Sequence, residues 1–143
     1  MSSTIANKLK YALFTKQIDF ANDTFKVILM KTGFVFDRDT HHGYADISAN
    51  ELANGNGYTT GGYTLTGVTV TENDTTDKTE VTWNNPSWTA SGGSIGPSPG
   101  ACLFDDTPTT PQADPVVGYI DFGEDQTEPS GGVFTIADVK VTA

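Results

Sequence analysis

Short stretches of apolar and β-branched residues recur along most of this chain, and turn-forming residues separate them. The candidate strands are residues 25–31, 79–83, 87–90, 100–104, 115–122, 132–136 and 139–142. Gly, Pro, Asn, Asp and Ser fill the intervals, and these residues typically bound strands. Because no long helical segment lies between the strands, the pattern predicts an all-β fold, either an antiparallel sandwich or a barrel.

A short helix is predicted near the N-terminus. Residues 4–18 place Ile5, Leu9 and Leu13 four residues apart, which aligns the three side chains on one face of an amphipathic helix. The apolar residues that follow, from Phe25 onward, are β-branched or aromatic and come after an Asn-Asp turn signal. The helix is therefore expected to end before the first long strand begins.

Three local patterns lie between the main strands. Ser48 and Glu51 have the spacing of a capping box, so a short capped helical turn is predicted to begin there. The alternation of apolar residues slips by one position at Gly67, which predicts a β-bulge. Residues 91–100, rich in Gly, Ser and Pro, are predicted to form a flexible loop.

The chain of 143 residues has the length of one domain with one core. We find no internal repeat and no linker that would divide it into two globular parts. The sequence therefore predicts an N-terminal helical docking segment, residues 1–17, followed by a single β domain, residues 18–143.

The charge of the chain is strongly acidic and unevenly placed. The formal net charge is −10, yet residues 1–38 carry six Lys or Arg against three Asp, whereas residues 39–143 carry two against fifteen acids. An acidic body repels phosphate backbones, so no nucleic-acid partner is expected. The basic first stretch is either a solvated face or a surface that docks onto an acidic protein.

The only cysteine, Cys102, cannot form a disulfide within the chain, and the first residues contain no apolar run of the length of a signal or membrane segment. We therefore expect synthesis in a reducing cytoplasm and no membrane partner.

The two histidines of the chain, His41 and His42, are adjacent and flanked by Asp37, Asp39 and Asp46. Neighbouring side chains of an extended segment point in opposite directions, which disfavours a shared transition metal, and calcium through the three acids lacks an EF-hand pattern. We predict no metal site and no cofactor. The pair is expected to lie on a polar crossing toward the helical turn, with a pH-sensitive intersubunit contact as a hypothesis.

No pattern of catalytic residues stands out. The chain has no nucleophile elbow and no glycine-rich nucleotide motif, and its adjacent acids lie in turn-like segments. A glycosidase would need two acids at a set separation, and Asp105 with Asp106 or Glu124 with Asp125 are the pairs available. The prediction is a protein that binds and does not catalyse.

Trp83 and Trp88 bracket a short Asn-Asn-Pro-Ser segment, and this pattern allows two interpretations. Exposed, they would suit a carbohydrate-binding β-sandwich module, because aromatic rings stack on sugars. Buried, they would fill the interior of the sandwich, and their positions at the ends of strands favour this second interpretation.

Two longer stretches carry a family resemblance. They are "IDFANDTFKVILMKTGFVFDRDTHHGYADISANELANGNGYTTGGYTLTGVTVT" and, further on, "VGYIDFGEDQTEPSGGVFTI". Together they resemble small virion structural proteins of tailed bacteriophages over most of residues 18–136. The segment "SGGSIGPSPGACLF" departs from that pattern, because relatives have a continuous strand pair there and this chain has glycine and proline.

The resemblance implies a capsid decoration (cement) protein of the virion, made in the bacterial cytoplasm, that binds the major capsid protein or other virion proteins. It also implies a homo-oligomer, with a trimer preferred. A tail or neck component is the alternative within the same class. The residues predicted to dock are three lysines of the basic segment and two residues of the glycine-rich loop: Lys8, Lys10, Lys16, Ile95 and Pro97.

Overall fold

Ten β-strands and two short α-helices make up the regular structure of residues 2–143, which are the residues that the computed structural model describes. The strands are β1 (Ser2–Ile5), β2 (Phe25–Leu29), β3 (Tyr63–Thr64), β4 (Thr69–Asn73), β5 (Lys78–Thr82), β6 (Ser87–Thr89), β7 (Ile95–Asp105), β8 (Val116–Glu128), β9 (Val133–Thr135) and β10 (Lys140–Thr142). The helices are α1 (Lys8–Phe14) and α2 (Tyr44–Ile47), and a 3-10 turn, Ser48–Asn50, follows α2.

The strands form three antiparallel sheets. The largest has the strand order β1-β8-β7-β2-β3, and the smaller ones have the orders β10-β5-β4 and β6-β9. The main core lies between the large sheet on one side and the small sheets with α1 on the other. Each of these elements contributes to it: Leu9, Val27, Val81, Trp88, Leu103, Phe134 and Val141. The predicted all-β, sandwich-like antiparallel fold is confirmed.

Strand β2 lies inside the large sheet and is buried on both faces. Val27 and Leu29 face the main core, whereas Ile28 and Met30 face a second core under the segment that carries α2. All four side chains have 0 % exposure. A strand covered on both sides carries apolar residues on both faces, which explains the unbroken apolar run from Val27 to Met30.

The loop predicted over residues 91–100 is wrong from Ile95 onward. Ile95 begins β7 and pairs with Glu128 of β8, so the strand runs through the glycine- and proline-containing stretch. Two register shifts interrupt the ladder here, between Ile95 and Ser98 and between Ser98 and Gly100. Such irregularities accommodate glycine and proline within a strand, which local composition alone does not reveal.

The N-terminal helix is shorter than predicted. It spans Lys8–Phe14, and the preceding residues form β1, in which Ile5 pairs with Gly118 of β8. Pairing with the free edge of β8 outweighs the helical spacing of Ile5, Leu9 and Leu13. The two strands approach closely at Gly118, where an added Cβ would lie 2.5 Å from the Thr4 carbonyl oxygen.

The register slip at Gly67 marks a change of sheet, and the predicted β-bulge is wrong. Gly67 has φ +68° and lies between β3 of the large sheet and β4 of the three-stranded sheet. An added Cβ there would meet the Asn84 side chain at 2.4 Å. The alternation shifts because the chain leaves one layer and enters another.

The predicted helical turn exists, but its cap differs. Helix α2 begins at Tyr44, and the Asp46 carboxylate accepts the N–H groups of His42 at 2.9 Å and Gly43 at 3.0 Å. The hydrogen bond from Gly43 lowers the pKa of the Asp46 carboxyl. The Ser48–Glu51 capping box is wrong, because Glu51 turns into the protein interior.

Candidate interaction surface around helix α1

Helix α1 presents aromatic residues to solvent while its other side holds the core. Leu9 and Ala12 are buried in the main core, whereas Tyr11 is 64 % exposed and Phe14 is 88 % exposed. Tyr11 and Phe14 lie two and five positions after Leu9 and so point away from its face, because a helix turns once in 3.6 residues. The sequence analysis did not identify the exposed rings. Their positions off the stripe formed by Leu9 and Leu13 nevertheless indicate that they face solvent.

A wide groove, here called the Phe14 groove, separates α1 from the three-stranded sheet and has a volume of about 800 Å³. Its floor is a row of valines that the strand register aligns: Val141 pairs with Val81, and Val81 pairs with Val70. Val70 is 47 % exposed because β4 is the edge of its sheet. The remaining lining includes Phe14, Lys10, Lys16 and Asp19.

A second groove, here called the Tyr11 groove, lies on the other side of α1 and has a volume of about 490 Å³. Lys8 and Tyr11 line it from the helix, and His42 and Gln112 line it from the facing loops. The Gln17 side chain donates a hydrogen bond to the Gln112 carbonyl at 2.9 Å, which ties that loop to the end of the helix. All three lysines that were predicted to dock therefore line grooves beside one helix.

The lysines in α1 and just after it have no acidic partner. Across residues 2–143, two side-chain ion pairs form, Lys26 with Asp106 at 3.3 Å and Lys140 with Glu80 at 3.8 Å. Lys8, Lys10 and Lys16 take part in neither and are exposed. Unpaired positive charge beside exposed aromatic rings, on a chain with a net charge of −10, suits contact with an acidic protein surface.

The two predicted docking residues in β7 do not join this surface. Ile95 is 1 % exposed and packs in the main core, so it is not available for docking, and that prediction is wrong. The reason is that Ile95 lies in a paired strand whose inward face meets the core. Pro97 is exposed but lines neither groove beside α1.

The histidine pair lies on a polar crossing between β2 and α2, as predicted. The Asp37 N–H donates to His41 Nδ1 at 3.0 Å, and the His41 ring stacks on Phe34 with centroids 5.5 Å apart. His42 Nε2 lies 2.6 Å from the Asp39 carbonyl oxygen, to which it can donate. The two imidazoles thus have separate local partners. Among residues 2–143, no group of three or more His, Cys, Asp or Glu side chains is placed to hold a metal ion.

Glu51 anchors a buried hydrogen-bond network. It accepts from the Tyr44 hydroxyl at 2.5 Å, from the Tyr58 hydroxyl at 2.7 Å and from the Gly61 N–H at 2.7 Å. Burial, and then the Glu51 carboxylate, raise the pKa of the Tyr58 hydroxyl, which keeps it a donor. Glu51 is 6 % exposed, so its carboxylate does not face solvent. It joins the three segments that carry Tyr44, Tyr58 and Gly61.

Both tryptophans pack in the core. Trp83 is 7 % exposed and Trp88 is 6 % exposed, which confirms the interpretation as core residues. Trp88 makes an edge contact with Phe134 of β9, with centroids 6.3 Å apart. Neither ring offers an open platform for a sugar, so the basis of the carbohydrate-binding alternative is removed.

Comparison with known proteins identifies no relative: no protein-family model, no curated protein and no solved structure matches the chain. No helix formed by residues 2–143 has the length and apolar character needed to span a membrane.

Proposed function

We propose that this chain is a structural protein of a tailed-bacteriophage virion and acts as a capsid decoration subunit. The observation that carries the proposal is the surface around α1, where exposed rings and unpaired lysines lie on both sides of a helix that the core holds rigidly. The resemblance of residues 18–136 to small virion proteins supports the same class.

The proposed mechanism is binding across neighbouring subunits of the shell. A specific, stable interface buries about 1,200–2,000 Å² in total, with aromatic residues concentrated at its centre and charges at its rim. The Tyr11 groove fits this description, since an exposed aromatic ring, Tyr11, and an exposed charge, Lys8, both line it. Repetition of the contact over a symmetric lattice multiplies a modest affinity.

The proposal is tested by binding of the purified protein to phage heads that lack it. We expect the double variant Lys8→Glu, Tyr11→Ala to bind about tenfold more weakly or worse, because it removes a central ring and reverses a rim charge. Lys78→Glu, a charge reversal on the exposed start of β5, is the matched control and should bind like the unmodified chain.

Two results would contradict the proposal. Unmodified protein that does not bind heads would remove the decoration role, and a double variant that binds normally would remove the Tyr11 groove. The copy number per particle separates the alternatives: hundreds of copies per head fit decoration, whereas a few copies or a ring fit the tail or neck.

A further inference from the structure

A second exposed apolar surface lies at the far end of β8, and its charge is opposite to that of α1. A groove of about 310 Å³ is lined by Phe122 and Glu128 of β8 and by Val133 of β9, and Val133 is 50 % exposed. Glu124 and Asp125 are exposed on the same stretch of β8. We call this surface, formed by residues 122–128 and 133–137, the acidic end.

The Phe14 groove and the acidic end lie at opposite ends of the large sheet. Phe20 lines the Phe14 groove and stacks on Phe25, which pairs with Asp105 at the end of β7. The acidic end lies where Ile95, at the start of β7, pairs with Glu128. Strand β7 has eleven residues and therefore ten steps between these positions, which corresponds to about 33 Å at about 3.3 Å per residue.

We propose that the Phe14 groove binds the acidic end of a second copy of this chain, so that subunits associate head to tail. Lys10 and Lys16 at the groove are opposite in charge to Glu128, which lines the acidic end, and to the exposed Glu124 on the same strand, and the Val70–Phe14 side of the groove matches Val133 as an apolar contact. Because the two surfaces lie at opposite ends of the same sheet, one molecule cannot satisfy both by itself.

A contact between two different surfaces of identical subunits is heterologous, and it closes into a ring when the rotation between neighbours divides a full turn. A three-membered ring would leave the Tyr11 groove of each subunit free for the shell. Only the role of such a ring on the phage shell rests on the proposed function. Self-association itself is measured on the purified chain and does not depend on that function.

The test is the mass of the purified full-length chain in solution, measured by sedimentation velocity at low and high salt. The unmodified chain should associate, and high salt should weaken the association, because charge pairs at an interface rim are screened. Lys10→Glu with Lys16→Glu, and separately Glu124→Lys with Glu128→Lys, should each weaken self-association about tenfold or more. Phe14→Ser should weaken it without changing its salt dependence.

Combining all four charge reversals should restore association, because the groove then carries the acids and the far end carries the lysines. Lys78→Glu controls for a charge reversal outside the two surfaces, and an unchanged melting temperature shows that each variant is folded. An unmodified chain that stays monomeric, reversals without effect, or a combined variant that stays dissociated would each overturn the inference.

Loss of head binding in the Lys10, Lys16 variant with intact self-association would assign the groove to another virion protein, and that also overturns it.

Discussion

At the scale of single residues, Asp105 is the most costly side chain in the core. It has 0 % exposure, its Oδ1 accepts the Thr107 N–H at 3.0 Å, and its Oδ2 has no hydrogen-bond donor among the residues that the structure describes. Burial, and then the hydrogen bond with the Asp23 carboxyl, raise the pKa of Asp105 to about 8. A protonated Asp105 can donate to Asp23, whereas two neighbouring carboxylates repel each other.

This pKa predicts how stability changes with pH. Because the pKa is higher in the folded chain than the ordinary value of 3.8 for an aspartate carboxyl, the contribution of Asp105 is fully present below about pH 4 and is lost as the pH rises to about 8. Asp105→Asn keeps the shape and can donate to Asp23 at every pH. Relative to the unmodified chain, we expect it to gain roughly 1–3 kcal/mol in unfolding free energy between pH 5 and pH 8.

Urea unfolding of both chains across that range measures the difference. Asp77→Asn, on an exposed turn, controls for the loss of one negative charge. A difference between the Asp105 variant and the unmodified chain that does not change with pH would contradict the prediction.

At the scale of elements, the short strand β3 depends on a glycine pair that precedes it. Gly61 and Gly62 both have positive φ, +94° and +77°. An added Cβ at Gly61 would meet nothing within 4 Å, whereas one at Gly62 would lie 2.0 Å from the Val27 carbonyl oxygen in β2. Gly62 thus lets the chain pass against β2 and enter the edge of the large sheet.

The pair provides a matched test. Gly61→Ala should cost about 1–2 kcal/mol of unfolding free energy, because only backbone strain is added. Gly62→Ala adds a collision with backbone, so we expect a total cost of roughly 2–5 kcal/mol. Chemical denaturation of both variants gives the values. Equal costs would show that β2 and β3 can separate without penalty.

At the scale of the whole molecule, the N-terminal residues are part of the body. Strand β1 covers the edge of β8, and α1 buries Leu9 and Ala12 in the main core. The division at residue 17 stays a prediction, but these contacts connect the two parts through a sheet and a core. A sheet edge stripped of β1 would present unpaired backbone groups to other chains.

Deleting residues 1–16 should therefore destabilise the β body. We expect loss of the cooperative thermal transition and increased binding of a hydrophobic dye, because the deletion opens the core and exposes the edge of β8. Charge reversal at Lys8, Lys10 and Lys16 should leave the melting temperature within about 2 °C, since these side chains are exposed and unpaired. A deleted chain that melts like the full one would instead establish the N-terminal stretch as a separable segment.

The sequence by itself determined the fold class, most of the strands and the basic character of the candidate surface, because strand runs, turn residues and charge are local properties. It did not reveal β1, the strand through residues 95–100 or the change of sheet at Gly67, because pairing partners and register shifts depend on residues far away in the chain. The dependence on residues far away in the chain also explains which parts of the candidate surface could be predicted. Lys8, Lys10 and Lys16 could be predicted as exposed, whereas the burial of Ile95 and the grooves beside Tyr11 and Phe14 were decided only when the sheets packed around helix α1.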